Sequence, residues 1–463
     1  MKKITLLLNY LTRSKTLTVL TVLSIILGSL GFQAQAVTHQ YAVADVVALN
    51  TDLKAGTYDV YELTTPGGLY VFNTGSTSNN NTLVKSTTIR AVAGLSAKPV
   101  LSLYSTTTGS TANMFFTQTP NITATFDGLE LNGINTGGTG QPLLFYAAPA
   151  AYSCKVYVTN CYIHDFLNAA GNGVFRLDGY SSTANTGSSI DIQGSTLCTF
   201  GGRAIYINPS AATNTTGNVV NLKNNIIRNN SLLSSRANLV YAGTANTGTT
   251  TIDHCTFYNL VTTSSTEGTI KYATGYGAIT ISHCIFSSVA QALPTTSTTV
   301  SYNYLAGLTT PPTGTNTFAA ATIPVFSDPT VQDFALTNKS SFICADDGLV
   351  AGISLSTLNQ PKLTAPTVSD ATNIVGLSMT ANWTPVDANA TGYTVYVYQG
   401  ATAPTSTSLP VVSKTVSGQS TSSLLVSGLT GGVTYTYKVV ALGDGVSTGN
   451  SVSSGASNSF TMP

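Results

Sequence analysis

Charge is scarce in this chain: only 8% of its 463 residues are Asp, Glu, Lys or Arg, and the formal net charge is +1. That removes the cationic footprint on which nucleic-acid binding depends, so nucleic acid is excluded as a partner. No long segment carries the 3.6-residue apolar spacing of an amphipathic helix, which rules out leucine-rich, ankyrin and tetratricopeptide architectures. The P-loop, the dinucleotide fingerprint, zinc-ligand spacing and the serine-hydrolase elbow are all missing, and the chemistries they serve go with them. Acidic residues are scattered, with only Asp346 and Asp347 adjacent, so the convergent oxygens of a calcium site are not apparent. Surface polarity must come from Ser, Thr and Asn, which hydrogen-bond readily to neutral hydroxyl-rich ligands.

The first residues are an exception to the general polarity. Lys2, Lys3 and further basic residues to Lys15 precede an uncharged run from Thr16 to Phe32 and the triplet Ala34-Gln35-Ala36. This order reads as a secretory signal peptide over residues 1–36, removed on export and leaving no membrane span. The expected location is extracellular, at the cell surface or periplasmic.

The fold is legible in a repeat. Val158-Thr-Asn-Cys-Tyr-Ile163, Ile192-Gln-Gly-Ser-Thr-Leu197, Leu222-Lys-Asn-Asn-Ile-Ile227, Ile252-Asp-His-Cys-Thr-Phe257 and Ile281-Ser-His-Cys-Ile-Phe286 share one pattern, with weaker copies beginning at Phe126 and Val300. Most copies start about 30 residues apart, the length of one coil of a large β-solenoid. A second set keeps the same period half a coil away: Leu144-Phe-Tyr146, Phe175-Arg-Leu177, Ile205-Tyr-Ile207, Leu239-Val-Tyr241 and Ile270-Lys-Tyr272. Short strands alternating apolar and polar, locked to one period, predict an all-β, right-handed parallel β-helix over residues 37–352, capped at both ends.

Within the repeat, position three is Asn160, Gly194, Asn224, His254 or His283, residues that tolerate the left-handed conformation; it is expected to be a corner. Position four, Cys161, Ser195, Asn225, Cys255 or Cys284, is expected to point inward and stack into a ladder, with the cysteines as packing thiols rather than disulfides. Upstream, a Gly56 to Glu62 strand, Thr87–Ala91 and Lys98–Ser102 are expected to form a cap and the first coils. Downstream, Pro324–Pro329 and Asp333–Leu336 are expected to close the solenoid.

A linker is expected at 353–365, followed by a second all-β module over 366–463. Its strands Ser378–Trp383, Gly392–Tyr398, Ser423–Val426 and Tyr435–Val440 resemble the fibronectin type III family. Trp383 matches that family's core Trp, Leu429 its buried loop Leu and Tyr435 its tyrosine corner. The resemblance implies a spacer or binding platform rather than a catalyst. The coil pattern and the Asp-Pro closing segment of the upstream domain resemble uncharacterised secreted β-helix families of Bacteroidota-type Gram-negative bacteria, which are distantly similar to the pectin lyase-like alginate and chondroitin lyases. No catalytic motif of those lyases aligns here.

For a site, strand alignment predicts an outward stripe of Phe145, Arg176, Tyr206, Val240 and Lys271, with Arg203 beside it. Aromatic faces stack on sugars, and Arg and Lys pair with uronate or sulfate, so Phe145, Arg176, Arg203, Tyr206 and Lys271 are the candidate ligand-binding residues. Arg176 and Lys271 are the candidates for catalysis in the alternative reading, a polysaccharide lyase; the competing reading is a solvated stripe. Lys223 and Asp253 are expected to form a surface ion pair, His254 and His283 to serve as turns, and His164 with Asp165 to make a loop contact. The function expected is a monomeric, noncatalytic glycan-binding or adhesive surface protein with no cofactor or metal. Calcium enters only with the lyase alternative.

Overall fold

The computed structural model describes residues 36–463 except 76–80, 96, 106–112, 136–142, 149, 152, 167–172, 179–186, 201–202, 208–216, 229–238, 243–247, 261–269, 273–277, 290–297, 307–325, 329–332, 337–343, 345–350, 353–362, 386–387, 406–407, 409, 444–449 and 452. All but the last residue of the signal peptide read over 1–36, most of the expected linker and the Asp346-Asp347 pair therefore lie outside the described residues. No helix among the described residues is long and apolar enough to cross a membrane.

Three parallel sheets wind into the solenoid. The ten-stranded sheet runs Thr38–Tyr41, Val60–Leu63, Thr87–Ala91, Thr123–Asp127, Lys155–Thr159, Ser189–Gln193, Val219–Lys223, Thr249–Asp253, Ile279–Ser282 and Thr298–Ser301. A nine-stranded sheet runs from Leu69–Gly75 to Tyr304–Ala306, and a six-stranded sheet from Asn113–Thr117 to Ile270–Tyr272. Every pairing within these sheets is parallel, and equivalent repeat positions face one another, as in Val158↔Ile192↔Leu222↔Ile252↔Ile281↔Val300. The alternation in the sequence is thus converted into one continuous core, in which Phe257 and Phe286 stack at 4.4 Å with nearly parallel rings.

The short 19-residue step from Ile281 to Val300 has a structural counterpart. Among the described residues that coil carries strands of the ten- and nine-stranded sheets only, because the six-stranded sheet ends at Tyr272.

Position three is the corner the sequence predicts: Asn160, Gly194, Asn224, His254 and His283 all have φ between 49° and 56°. A chain turning this sharply leaves the next amide without a ladder partner, and position four supplies one. The Cys161 amide donates to Ser195 Oγ at 3.0 Å, the Ser195 amide to Asn225 Oδ1 at 2.9 Å, the Cys255 amide to Cys284 Sγ at 3.4 Å and the Cys284 amide to Asn303 Oδ1 at 2.8 Å. Each side chain satisfies the amide of the preceding coil, the requirement a buried backbone group imposes. A second ladder repeats the device elsewhere: the Cys154 amide donates to Ser188 Oγ, and the Ser188 amide to Asn218 Oδ1. All six cysteines are free and buried.

The upstream cap differs from expectation. Gly56 does not begin a strand; it is the left-handed C-cap of a helix, Val46–Ala55, and its amide bonds back to Leu53 O while that of Thr57 bonds to Asp52 O. The helix buries Leu49 and Leu53 against the first coils. The downstream hairpin, Phe326–Asp328 with Asp333–Leu336, is antiparallel and packs Phe326 and Phe334 with Ile226, Tyr258 and Ile285. Those residues belong to three successive coils of the nine-stranded sheet, and Tyr304 of its last strand packs against the same cluster.

Residues from Thr367 to Thr461 form a sandwich of two antiparallel sheets around Trp383, Leu429 and Tyr435. The Thr430 amide donates to the Tyr435 hydroxyl at 3.0 Å, which makes the tyrosine corner. Beyond the long strand Thr434–Leu442, Ser451, Ser454 and Ser457 each accept an amide from it through Oγ, at Ala441, Val439 and Tyr437.

Candidate functional site

The predicted stripe on the six-stranded sheet is shifted by one residue at two strands. Phe175 pairs with Phe145 and Arg176 with Tyr146, so the row through Arg176 reads Phe116, Tyr146, Arg176, Tyr206, Tyr241, Lys271. Phe145 and Val240, both expected to face outward, are fully buried in the core, because a one-residue change of register moves a strand residue to the opposite face. The backbone of Lys271 lies in the row; its side chain is outside the described residues.

Arg176 is engaged within the protein. Its guanidinium clamps the buried Asp178, with Nε 2.9 and 2.8 Å from the two carboxylate oxygens and a second nitrogen 2.5 Å from Oδ2. Tyr146 donates its hydroxyl to the same carboxylate at 3.1 Å. The guanidinium also lies over the rings of Tyr146, at 5.0 Å, and Tyr206, at 5.4 Å, and the buried Arg203 lies 4.4 Å from the Tyr206 ring. Burial together with the charge of Asp178 pushes the Tyr146 hydroxyl up to about 12. Arg176, Arg203 and Tyr206 are therefore brought together, but as a stacked polar ladder whose central charge is already neutralised. Asp178, which sequence reasoning missed, is two residues from Arg176 and so on the same face of the strand.

The outer face of the ten-stranded sheet has a different character. Its register aligns Thr125, Tyr157, Asp191, Asn221, Thr251, Thr280 and Thr299 in one row. A neighbouring row runs Thr123, Lys155, Ser189, Val219, Thr249. Between them opens a groove of about 470 Å³ lined by Lys155, Tyr157, Ser189, Asp191, Val219 and Asn221. Tyr157 is 38% exposed, a large ring presented to solvent among hydroxyl, amide and carboxylate groups. Two glycines complete the lining: a Cβ on Gly187 would lie 2.0 Å from the Gly217 carbonyl oxygen, so only glycine permits these coils to stack this closely.

Further along the same sheet, Glu62 receives a two-point contact from Arg90 and a hydrogen bond from Gln40. Those partners hold its carboxyl below the usual carboxylate range. Arg90, Asp127 and Lys98 line a second cleft of about 410 Å³, where Lys98 Nζ donates to Asn160 Oδ1 at 2.9 Å.

Lys223 is a distant partner of Asp253, at 4.0 Å. Asp253 instead meets His283 Nδ1 at 2.7 Å and His254 Nδ1 at 3.1 Å. The two histidines do occupy corners, as expected, and their rings stack at 4.6 Å. His164 is more than a loop contact: its Nδ1 lies 2.7 Å from Asp165 and its Nε2 3.1 Å from Glu130. Burial alone would lower its pKa, but the two carboxylates raise it to about 10.

Residues 364–454 match the fibronectin type III domain. That match covers the sandwich up to its last strand, Phe460–Thr461, which lies beyond it, and leaves the solenoid outside. No curated protein matches the chain. Among solved structures, the chain is similar to one titled "Myokine structure", which is 17% identical over 22% of this chain and 99% of that chain, with a TM-score of 0.17.

Proposed function

We propose that the chain is a noncatalytic glycan-binding protein, with the solenoid presenting the ligand face and the fibronectin type III module serving as spacer or docking element. The groove around Tyr157 carries this reading. An exposed aromatic ring offers a stacking platform for a pyranose, and Lys155, Ser189, Asp191 and Asn221 offer donors and acceptors to its hydroxyls. The row repeats at strand spacing, about 4.8 Å, so a polysaccharide lying along the solenoid axis would meet similar groups on successive coils. Export by the leader read in residues 1–36 would bring this face to extracellular or surface polymers.

The lyase alternative finds less support. A uronate lyase needs cationic charge free to neutralise the substrate carboxylate, and Arg176 is committed to Asp178. Isothermal titration of the purified chain with neutral and uronate-containing oligosaccharides tests the proposal. Binding that falls at least tenfold in Tyr157→Ala and is unchanged in Arg176→Met supports it; binding that depends on Arg176 and not on Tyr157 overturns it.

A further inference from the structure

The geometry points to a transition-metal site formed by Asp253, His254 and His283, of the kind that takes Zn²⁺, Cu²⁺ or Ni²⁺. Their ligand atoms, one carboxylate oxygen and one ring nitrogen from each histidine, all lie within 4.8 Å of one another. Two imidazoles and one carboxylate are the donor set that borderline-soft divalent ions prefer, and calcium or magnesium would ask for more oxygens.

The turn does not explain the histidines. Equivalent corners at Asn160, Gly194 and Asn224 adopt the same left-handed backbone with residues that carry no imidazole, at φ 50°, 56° and 53° against 49° and 53° for His254 and His283. What histidine adds is a ring at each of two successive corners. Coil stacking holds those rings 4.6 Å apart and only 23° from parallel, with both Nδ1 atoms turned to the carboxylate between them. His164 makes the opposite arrangement: its two ring nitrogens address two different carboxylates on opposite edges, so its partners cannot converge on one ion.

The surroundings are those of a supported site. Ser282 donates its hydroxyl to Asp253 Oδ1 at 3.0 Å, and the Gly352 amide bonds to the His283 carbonyl at 2.7 Å, fixing that corner. Asp253 and His283 keep 22% and 14% of their side-chain surface accessible, which gives an ion a way in, and Tyr302 stacks on the outer coil side of His283. In a tetrahedral site with bonds of about 2.0–2.1 Å the ligand atoms stand roughly 3.3 Å apart, so the carboxylate would back away slightly from both imidazoles as the ion replaces the shared protons. Lys223, 4.0 Å from Asp253 and more than half exposed, is free to swing into solvent.

The test is calorimetric titration of the chelator-treated full chain with ZnCl₂, paired with titration by CoCl₂ read in the visible. The expected result is one Zn²⁺ per chain and the ligand-field absorption of a low-symmetry Co²⁺ site. Both should be weakened at least tenfold in the His254→Asn/His283→Asn variant, which places at these corners the residue found at 160 and 224 and so preserves the turn. Zn²⁺ should also raise the unfolding temperature of the wild type and not of the variant. Absence of Zn²⁺ heat and of the Co²⁺ band in the wild type would overturn the inference, as would equal affinity in the variant. If the double variant does not fold, the single variants His254→Asn and His283→Asn carry the same comparison.

Discussion

The amide of Ser195 donates to Asn225 Oδ1, one coil further on, at 2.9 Å, and the Asn225 side-chain amide donates in turn to Ile192 O at 2.6 Å. One buried residue thus satisfies two backbone groups that the left-handed corner would otherwise leave unpaired. Replacing it by Leu removes both partners at once. With each orphaned group costing about 1–3 kcal/mol, Asn225→Leu should destabilise the solenoid by about 2–6 kcal/mol. Urea unfolding followed by circular dichroism measures the loss, and Asn225→Ser, which retains an acceptor of the kind found at Ser195, should recover part of it.

The ladder also fixes the state of the thiols. Burial pushes the Cys154 thiol up to about 11 and that of Cys161 up to about 12, so neither forms appreciable thiolate at neutral pH. A chromogenic thiol reagent should therefore label the native chain slowly and all six cysteines after denaturation without reductant. Fewer than six reactive thiols in the denatured, unreduced chain would mean a disulfide and would contradict the packing role.

Much of this is legible in the sequence. The coil length, the corner at position three and the inward ladder at position four follow from residue types that recur at one period, because each coil must satisfy the same steric and hydrogen-bonding demands. The side on which Phe145 and Val240 lie was not legible. In Leu143–Ala147 four of the five residues are buried, so the two-residue alternation that normally reports a face is absent, and only pairing with Phe175 and Arg176 sets the register. The Arg176–Asp178 pair carried an i, i+2 signal that a strand-face reading could have used. The convergence of His254 and His283 on Asp253 was hidden by a correct inference: both are corners, and a corner accounts for a histidine's backbone without accounting for its ring.

Asp178 and Arg176 form a partly buried pair, so removing either partner strands the other. Asp178→Asn should cost about 2–4 kcal/mol, near or below the range for fully buried pairs because Arg176 retains some exposure. The same substitution should leave oligosaccharide affinity unchanged, which separates the structural ladder on the six-stranded sheet from the ligand face on the ten-stranded one. A loss of binding with intact stability would assign function to the wrong sheet.

His164 gives a pH signature. Its folded pKa, about 10, lies above the unfolded value of about 6.5, so its contribution to stability is fully present below pH ~6.5 and is lost as pH rises through 10. His164→Gln should therefore destabilise the chain most at pH 6 and progressively less toward pH 10. The ring resonances of His164 should show no titration between about pH 6 and 8 in a nuclear magnetic resonance experiment. A midpoint near 6.5 would contradict the two-carboxylate clamp.

The most direct measurement is a polysaccharide screen of the purified chain that records binding and the ultraviolet absorbance of unsaturated uronates together, for the wild type, Tyr157→Ala and Arg176→Met. The account predicts binding to at least one polymer, lost in Tyr157→Ala and kept in Arg176→Met, with no absorbance from any of the three. Absorbance that grows with time in the wild type and vanishes in Arg176→Met would make the chain a lyase and contradict the account.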